Sequence, residues 1–439
     1  MESRAASYGF IAATPAVAWL LLKPVGMRFG RFWCCVVLSL CPSARGDDTS
    51  AEDLGPAPQF SDADYVPLPA RPHKLAVTVT PTNRTESVNL FQTVYRASQG
   101  VAIGWNGDRA SCIPGTDAQA YSDATVLRVN YFRALAGLPG DVTLSTLWNS
   151  ECMDAALMMS KQGQLSHSPG TNWACYTASG AEAAGKSNLY LGREGPPAID
   201  GYIDDPGSNN YFVGHRRWIL YPPQKVIGSG SIPATGGPAA NALWVIGGFA
   251  SRPSQPAWVA WPPRGYVPYQ VMPQSSGRWS FAYAGANFAN ASVFMSRNGT
   301  NVALALEQQL NNQGYADNTI VWIPQGVPVT KPSSDITYTV TVSNVVVSST
   351  ARVFTYNVTI IDPDAVVVTP PTLTTRFTNQ NSLVLSWPTN SPGFTLQSAY
   401  SFSPTSQWAA AGGSPTVQGN EYRVTINVST NQRFFRLQK

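Results

Sequence analysis

The chain has 439 residues, too many for one ordinary domain, and its length alone predicts about three. Charged residues make up 12% of it and hydrophobic residues 44%, which excludes a chain kept disordered by its charge. The net charge of +4 is small and spread along the sequence without a Lys/Arg cluster, so we expect no nucleic-acid partner. Low charge with abundant Thr, Asn, Val and Gly in the second half is typical of a secreted β-rich protein.

An apolar run near the N-terminus predicts an export signal. Two arginines precede the run at 32–41, and residues 44–46 supply the small side chains that a signal peptidase requires. We therefore predict a signal-peptide region at 1–46, with Met27 as a candidate true start, and a secreted or cell-surface protein. The alternative is a membrane anchor, but no apolar run reaches the roughly 18 residues of a spanning helix. We expect no transmembrane helix once the signal is removed.

Export changes the meaning of the cysteines. The mature chain keeps Cys112, Cys152 and Cys175, an odd number that predicts one disulfide and one free thiol. Cys112 lies in a loop rich in Gly and Pro, and Cys175 lies in a second loop. Cys152 falls in a partly apolar helical run, where we expect a small buried hydrophobe. We therefore pair Cys112 with Cys175.

The sequence of the first part of the mature chain predicts a linker followed by helices. Residues 47–84 are acidic and then Pro-rich, which predicts an extended linker with little structure of its own. From residue 85 onward, apolar residues recur at helical spacing. We predict helices at 86–99, 117–136 and 147–162, and short strands at 226–228 and 242–246. Helices first and strands last indicate an α+β unit over 85–250.

The remaining signals are all β. Alternating or β-branched runs between Gly/Asn turns fill 251–363, about the strand count of an immunoglobulin-like sandwich. A Pro-rich linker at 364–371 leads to a small all-β module at 372–439. We interpret four tryptophans of the second domain as sandwich core, with a sugar-binding platform as the alternative: Trp258, Trp261, Trp279 and Trp322.

Candidate site residues concentrate between 165 and 221. This stretch holds His167 and His215, two of the three histidines in the chain, with Glu182 and Asp200 between them. Imidazole ligates metals and moves protons near neutral pH, and nearby carboxylates orient it, share a metal or hold a water. We interpret the acids at 204–205, before Pro-Gly, as a turn. We interpret the arginines at 216–217 as partners in a salt bridge within the domain, with binding of an anionic ligand as the alternative.

The local sequences around these residues resemble the CAP superfamily of cysteine-rich secretory proteins, antigen 5 and plant pathogenesis-related proteins. Three stretches carry the resemblance: the helix that ends in Gly-Leu-Pro at 129–139, Leu-Ser-His-Ser at 165–168, and Gly-His-Arg-Arg-Trp at 214–218. Glu182 occupies the position of the family's first glutamate, within Gly-Ala-Glu-Ala. Asp200 falls where a second glutamate is expected and is shorter by one methylene. The resemblance covers about 85–250.

The resemblance implies an α-β-α sandwich with two histidines and two acids in one open cleft. Some family members bind a divalent metal such as zinc there, some carry sterols or lipids, and protease activity has been claimed for a few. It therefore implies His167 and His215 as metal ligands, with Glu182 and Asp200 as cleft acids. We expect zinc or another divalent cation as the cofactor of such a site.

Together these features predict a CAP-like α-β-α sandwich, then an immunoglobulin-like β-sandwich, then the small β module. The leading hypothesis is a secreted module that binds a ligand or a divalent metal. Its partner would be a small or lipid-like ligand, or a cell-surface component. One alternative is a zinc-dependent, peptidase-like hydrolase with Glu182 as the base. The other is an adhesin whose Trp-rich β domains bind glycan.

Overall fold

The computed structural model describes residues 52–60, 76–311, 314–365, 371–379, 381–389, 393–401, 406–427 and 433–438. The predicted signal peptide lies outside these ranges. Helices in the described part are α1 (Arg84–Leu90), α2 (Gln119–Leu135), α3 (Thr146–Gln162), α4 (Ala178–Lys186), α5 (Gly195–Asp204) and α6 (Gly214–Ile219). A π-helical turn, Phe91–Tyr95, and a 3₁₀ turn, Arg96–Ser98, continue α1. No helix in these ranges is both long and apolar enough to cross a membrane.

The strands of the first domain form a mixed sheet. They are β1 (Thr143–Leu144), β2 (Ser187–Leu191), β3 (Val226–Ile232) and β4 (Ala240–Trp244), in the spatial order β1-β3-β4-β2. Side chains alternate between the two faces of a strand. Accordingly, Ala242 and Trp244 of β4 pack with the apolar side of α3, whereas Leu243 belongs to the core formed with α2, α5 and α6. Helices thus cover both faces, which confirms the α-β-α arrangement.

Residues at its two ends fix the limits of α3, the helix that precedes His167. Ser145 caps the N-terminus of α3 by accepting a hydrogen bond from the Trp148 amide at 3.3 Å. At the other end, Gly163 adopts φ 68°, the left-handed conformation that glycine adopts without strain. The helix ends where the sequence predicts, at residue 162, and begins one residue before the predicted start.

Beyond the α-β-α unit the chain forms a two-sheet sandwich. Its described strands are β5 (Trp258–Trp261), β6 (Gly265–Pro268), β7 (Trp279–Tyr283), β8 (Ser292–Arg297), β9 (Thr300–Asn301), β10 (Leu304–Leu310), β11 (Thr319–Pro324), β12 (Ile336–Val347) and β13 (Thr350–Ile361). One sheet has the order β10-β11-β7-β5 and the other β6-β13-β12-β8-β9. This confirms a β-sandwich after the first domain, whereas its immunoglobulin-like class stays a prediction.

The tryptophans of this sandwich form its core. Trp261, Trp279 and Trp322 are each at most 2% exposed, and Trp258 is half-buried and stacks on Phe281 at 5.1 Å between ring centroids. Their interpretation as core is therefore confirmed for the three buried residues, which present no surface to a sugar.

The C-terminal residues form a separate small core. Their described strands are β14 (Thr374–Asn379), β15 (Ser382–Pro388), β16 (Thr395–Ala399), β17 (Ala409–Ala410), β18 (Thr416–Gln418), β19 (Glu421–Asn427) and β20 (Phe434–Gln438). They pair as β14-β15-β19-β18 and β17-β16-β20. Trp387 and Leu385 are buried between them.

The α-β-α unit and the first sandwich share one apolar core, which includes residues on both sides of position 250. Arg216 and Arg217 strengthen this junction. Arg216 donates to the backbone carbonyl of Arg278 at 2.9 Å, and Arg217 donates to that of Asp317 at 2.8 Å. Hydrogen bonds to carbonyls take the place of the expected salt bridge within one domain, and Arg216 also donates to the Ile203 carbonyl on its own side of the junction at 2.6 Å.

Candidate functional site

The disulfide ties the loop that follows His167 to the loop that carries Cys112. Cys112 and Cys175 are joined with an S–S distance of 2.07 Å and a Cα–Cα distance of 5.1 Å, as the sequence predicts. Cys152, on α3, is a buried free thiol. Burial raises its pKa to about 12, so it is a neutral core residue and not a nucleophile.

His167 follows the glycine stop of α3 and is held between two backbone carbonyls. Its Nδ1 lies 2.6 Å from the carbonyl oxygen of Ala184, at the end of α4, and its Nε2 lies 2.6 Å from that of Pro56. Helix α4 is fixed by Thr177, whose hydroxyl accepts from the Gly180 amide at 2.9 Å. Since carbonyl oxygens only accept, a neutral imidazole donates to one of them and an imidazolium to both.

The environment of His167 favours its neutral form. Burial lowers its pKa from the usual value near 6.5, and the nearby His215 acts in the same direction. The carbonyls of Pro56 and Ala184 oppose this shift without reversing it.

A pH dependence follows from this shift. The neutral form of His167 is preferred in the folded state, so its contribution to stability is present above pH 6.5 and is lost as the pH falls through the lower folded-state pKa. We expect the free energy of unfolding to decrease between pH 6.5 and 5 more steeply in the wild type than in His167→Gln. Urea unfolding at half-unit pH steps measures both slopes, and parallel slopes would contradict the assignment.

His215 is fully buried on α6 and has a carboxylate partner. Its Nδ1 lies 2.8 Å from Oδ1 of Asp205, and its ring stacks on that of Tyr202 at 5.6 Å between centroids. The chain turns into α6 through Val213 at φ 49°, a conformation that β-branched residues rarely adopt. Among the described residues, Nε2 of His215 has no hydrogen-bond partner.

Asp205 is the functional residue that the sequence analysis missed. Its location in a turn was predicted correctly, since Asp205 caps α5 in the left-handed conformation at φ 56°. It is also fully buried, and its Oδ2 accepts from the backbone amides of His215 at 3.0 Å and Arg216 at 3.2 Å. Asp before Pro-Gly is an ordinary turn sequence, so no local signal distinguished it from a solvated acid.

The two predicted cleft acids are engaged elsewhere. Glu182 forms an ion pair with Lys186, one helical turn away, at 2.9 Å, and its side chain is 55% exposed. Asp200 pairs with the buried Arg128 and accepts from the Tyr95 hydroxyl at 3.2 Å. Burial raises the Asp200 pKa, and Arg128 opposes the shift. Within the described residues, neither carboxylate hydrogen-bonds to a ring nitrogen of either histidine.

The donor set around the histidines fits a divalent ion in part. Histidines that ligate metals commonly donate their other ring N–H to a carboxylate or a carbonyl. The Nδ1 atoms of His215 and His167 face such partners, Asp205 and Ala184, which orients Nε2 of each ring as the ligand atom. In the part of the chain that the structure describes, no three His, Cys, Asp or Glu residues converge on one point. The shared zinc site therefore stays a prediction.

Residues 52–60 lie against this site, which corrects their assignment to a free linker. Leu54 and Ala57 are buried, and the Pro56 carbonyl reaches His167. Prolines alone indicated an extended chain, but the carbonyls of this segment find donors on the folded domain.

Comparisons with known proteins agree with the geometry. The model of the CAP family, described as the cysteine-rich secretory protein family, matches residues 126–247. These residues run from α2 to the end of the sheet and include both histidines, both predicted cleft acids and Asp205. A search among curated proteins gave no match.

Proposed function

We propose that this chain, whose residues 126–247 match the CAP family model, is a secreted or cell-surface protein whose CAP-like domain binds a ligand without transforming it. CAP domains are typically extracellular. The disulfide Cys112–Cys175 supports the same location, because disulfides persist in oxidising compartments.

The hydrogen bonds and ion pairs of the histidines and acids support binding without catalysis. A hydrolase needs a general base within hydrogen-bond reach of the water or substrate that it deprotonates. Glu182, the predicted base, is paired with Lys186 on an exposed helix face, and Asp205 is occupied by His215 and two backbone amides. The buried bonds of Asp205 hold His215 in one orientation, which suits a rigid binding site, whereas the exposed pair of Glu182 with Lys186 contributes little to rigidity.

A second candidate function is binding of a divalent metal, favoured by the partnerless Nε2 of the buried His215. Nε2 of His215 and Nε2 of His167 would hold the ion, and Asp205 and Ala184 would orient the two rings. A bound cation would supply an electrostatic anchor for a carbonyl or anionic group of the ligand. The Pro56 carbonyl contacts Nε2 of His167, so the metal and this carbonyl compete for one nitrogen.

Calorimetric titration of zinc tests the metal site. We expect the wild type to bind zinc and His215→Ala or His167→Ala to lose binding, because each removes one of two imidazole ligands. Glu182→Gln is the matched control and should bind as the wild type does, since that carboxylate pairs with Lys186. Equal zinc affinity in the wild type and His215→Ala would show that the histidines are structural.

Turnover separates binding from hydrolysis. The protein should leave a peptide library intact with zinc present and with a chelator present. Cleavage that the chelator abolishes would overturn the proposal in favour of the hydrolase.

A further inference from the structure

The segment 52–60 is held at its start by an ion pair of Glu52 with Arg193 at 2.9 Å and along its length by its backbone carbonyls. Asn210 Nδ2 donates to the carbonyl of Leu54 at 2.9 Å, and Trp218 Nε1 donates to that of Pro58 at 2.8 Å. His167 reaches the carbonyl of Pro56 between them. The bonded carbonyls belong to residues 54, 56 and 58, a spacing of two that matches an extended chain with one edge facing the protein.

Both ends of the segment are also fixed through the main chain. Asp53 exchanges two hydrogen bonds of 2.9 Å with Leu191, at the end of the edge strand β2. At the other end, the Phe60 amide donates to the Gly314 carbonyl at 2.9 Å. A short extended segment paired with a sheet edge is a common way for proteins to bind peptides, and it depends little on peptide side chains.

Side chains of the segment meet the groove at a few tight points. Leu54 is 6% exposed and Ala57 is 3% exposed. A Cβ on Gly214 would lie 2.6 Å from that of Ala57, so glycine at 214 and a small residue at 57 permit the close approach. Pro56 and Pro58 have no N–H to leave unpaired, and their fixed φ angles favour the extended form before binding.

We propose that the groove formed by His167, Leu191, Asn210, Gly214 and Trp218 is a binding site for an extended, proline-containing peptide of a partner protein, and that residues 52–60 occupy it as a competitor within the chain. This inference rests on the proposed binding function and names its ligand class. The groove binds backbone carbonyls at alternate positions of the segment and accommodates one apolar side chain and one small side chain. A partner peptide with the pattern of Leu-Gly-Pro-Ala-Pro satisfies every one of these contacts.

Competition within the chain makes the site testable. A tethered segment acts at an effective concentration in the millimolar range, so a free peptide binds weakly until the segment leaves. Ala57→Trp should expel the segment, because the indole has no room beside Gly214. Gln59→Trp is the matched control, since residue 59 is exposed on the same segment.

The probe is a fluorescein-labelled peptide with the sequence of residues 52–60, measured by fluorescence polarisation. We expect Ala57→Trp to bind it at least about 10-fold more tightly than the wild type or Gln59→Trp. A peptide that itself carries tryptophan in place of alanine should not bind. Equal affinity of the wild type and Ala57→Trp for the probe would overturn the proposal.

A covalent lock provides the opposite test. A Cβ on Gly55 would lie 3.4 Å from Cβ of Leu165, close to the separation in a disulfide. The double variant Gly55→Cys/Leu165→Cys, oxidised with oxidised glutathione, should lose all binding of the probe. Binding by the locked protein that equals wild-type binding would show that the peptide uses another surface.

Hydrogen exchange on the wild type removes any dependence on the folding of a variant. Excess unlabelled peptide should speed exchange of the Asp53 amide, which is bonded to Leu191 in the closed form. Unchanged exchange at saturating peptide would contradict the proposal. If zinc binds and the peptide does not, a peptide is not the ligand, and the proposed binding function still stands. If the peptide binds and is cleaved, a peptide is the ligand, and the proposal of binding without catalysis is wrong.

Discussion

Arg133→Met is expected to lower the free energy of unfolding by about 4–5 kcal/mol, the largest effect that we predict. Arg133 is 1% exposed on α2, and its guanidinium donates to the carbonyls of Ile219 at 2.9 Å and Tyr221 at 2.8 Å. It also donates to the carbonyls of Pro139, Pro222 and Gln224. Burial lowers its pKa to about 10, so the group is still charged at neutral pH. Methionine fills similar space but removes every one of these donors, and among the described residues only the Tyr221 carbonyl keeps a second one, the Gln224 amide at 3.0 Å.

Urea unfolding followed by tryptophan fluorescence measures this effect. Arg352→Met, at an exposed position on β13, is the matched control and should change stability by no more than about 0.5 kcal/mol. The acceptors at 219–224 follow the helix that carries His215, so Arg133→Met should also weaken ligand binding at the site. A loss below about 1 kcal/mol would show that water or neighbouring groups replace the guanidinium.

Asp205→Ala is expected to lower the free energy of unfolding by about 3 kcal/mol. The substitution removes the acceptor of the His215 ring and of two backbone amides, all of them buried. It also places alanine at φ 56°, where Asp and Asn are better tolerated. Asp205→Asn keeps one acceptor oxygen and a side chain that tolerates the left-handed backbone conformation. We therefore expect that variant to lower the free energy of unfolding by only about 1 kcal/mol.

The tautomer of His215 provides a second test of the role of Asp205. In the wild type, nitrogen NMR should show the proton of neutral His215 on Nδ1, which faces the carboxylate at 2.8 Å. Asp205→Ala should shift the proton partly to Nε2. Asp123→Ala, on the exposed face of α2, is the control and should leave both stability and tautomer unchanged. A wild-type ring protonated on Nε2 would refute the assigned role of Asp205.

Some of the site was predictable because its signals are local. The glycine that ends α3 at Gly163 places His167 in a loop, and Gly-His-Arg-Arg-Trp marks the second histidine. The pairing of Cys112 with Cys175 followed from the helical context of Cys152. Each of these inferences uses residues close together in the chain, where hydrogen-bonding geometry and periodicity act directly.

Other parts depended on contacts between distant residues. Asp200 sits at a position where an acid was expected, but Arg128 and Tyr95, from the preceding helical segments, reach it across the fold. The side chains at 216–217 were expected to form a salt bridge within their own domain, yet they bond to carbonyls of the first sandwich. No periodic pattern encodes these partners, because they lie roughly 60 to 105 residues away along the chain.

The sequence by itself determined the α+β class, the disulfide, the end of α3 and the two histidines, since each depends on local backbone preferences, side-chain periodicity or recognisable motifs. It did not predict the short helices α4, α5 and α6 or the strands β1 and β2, which lie between helices where the sequence indicated helices first and strands last. Only the tertiary structure decided that Asp205 orients His215 and that residues 52–60 cover the site. The physical reason is that buried donors must find acceptors wherever the fold provides them. In this protein those acceptors are a turn carboxylate and the carbonyls of a proline-rich segment, whose composition alone indicates solvent exposure.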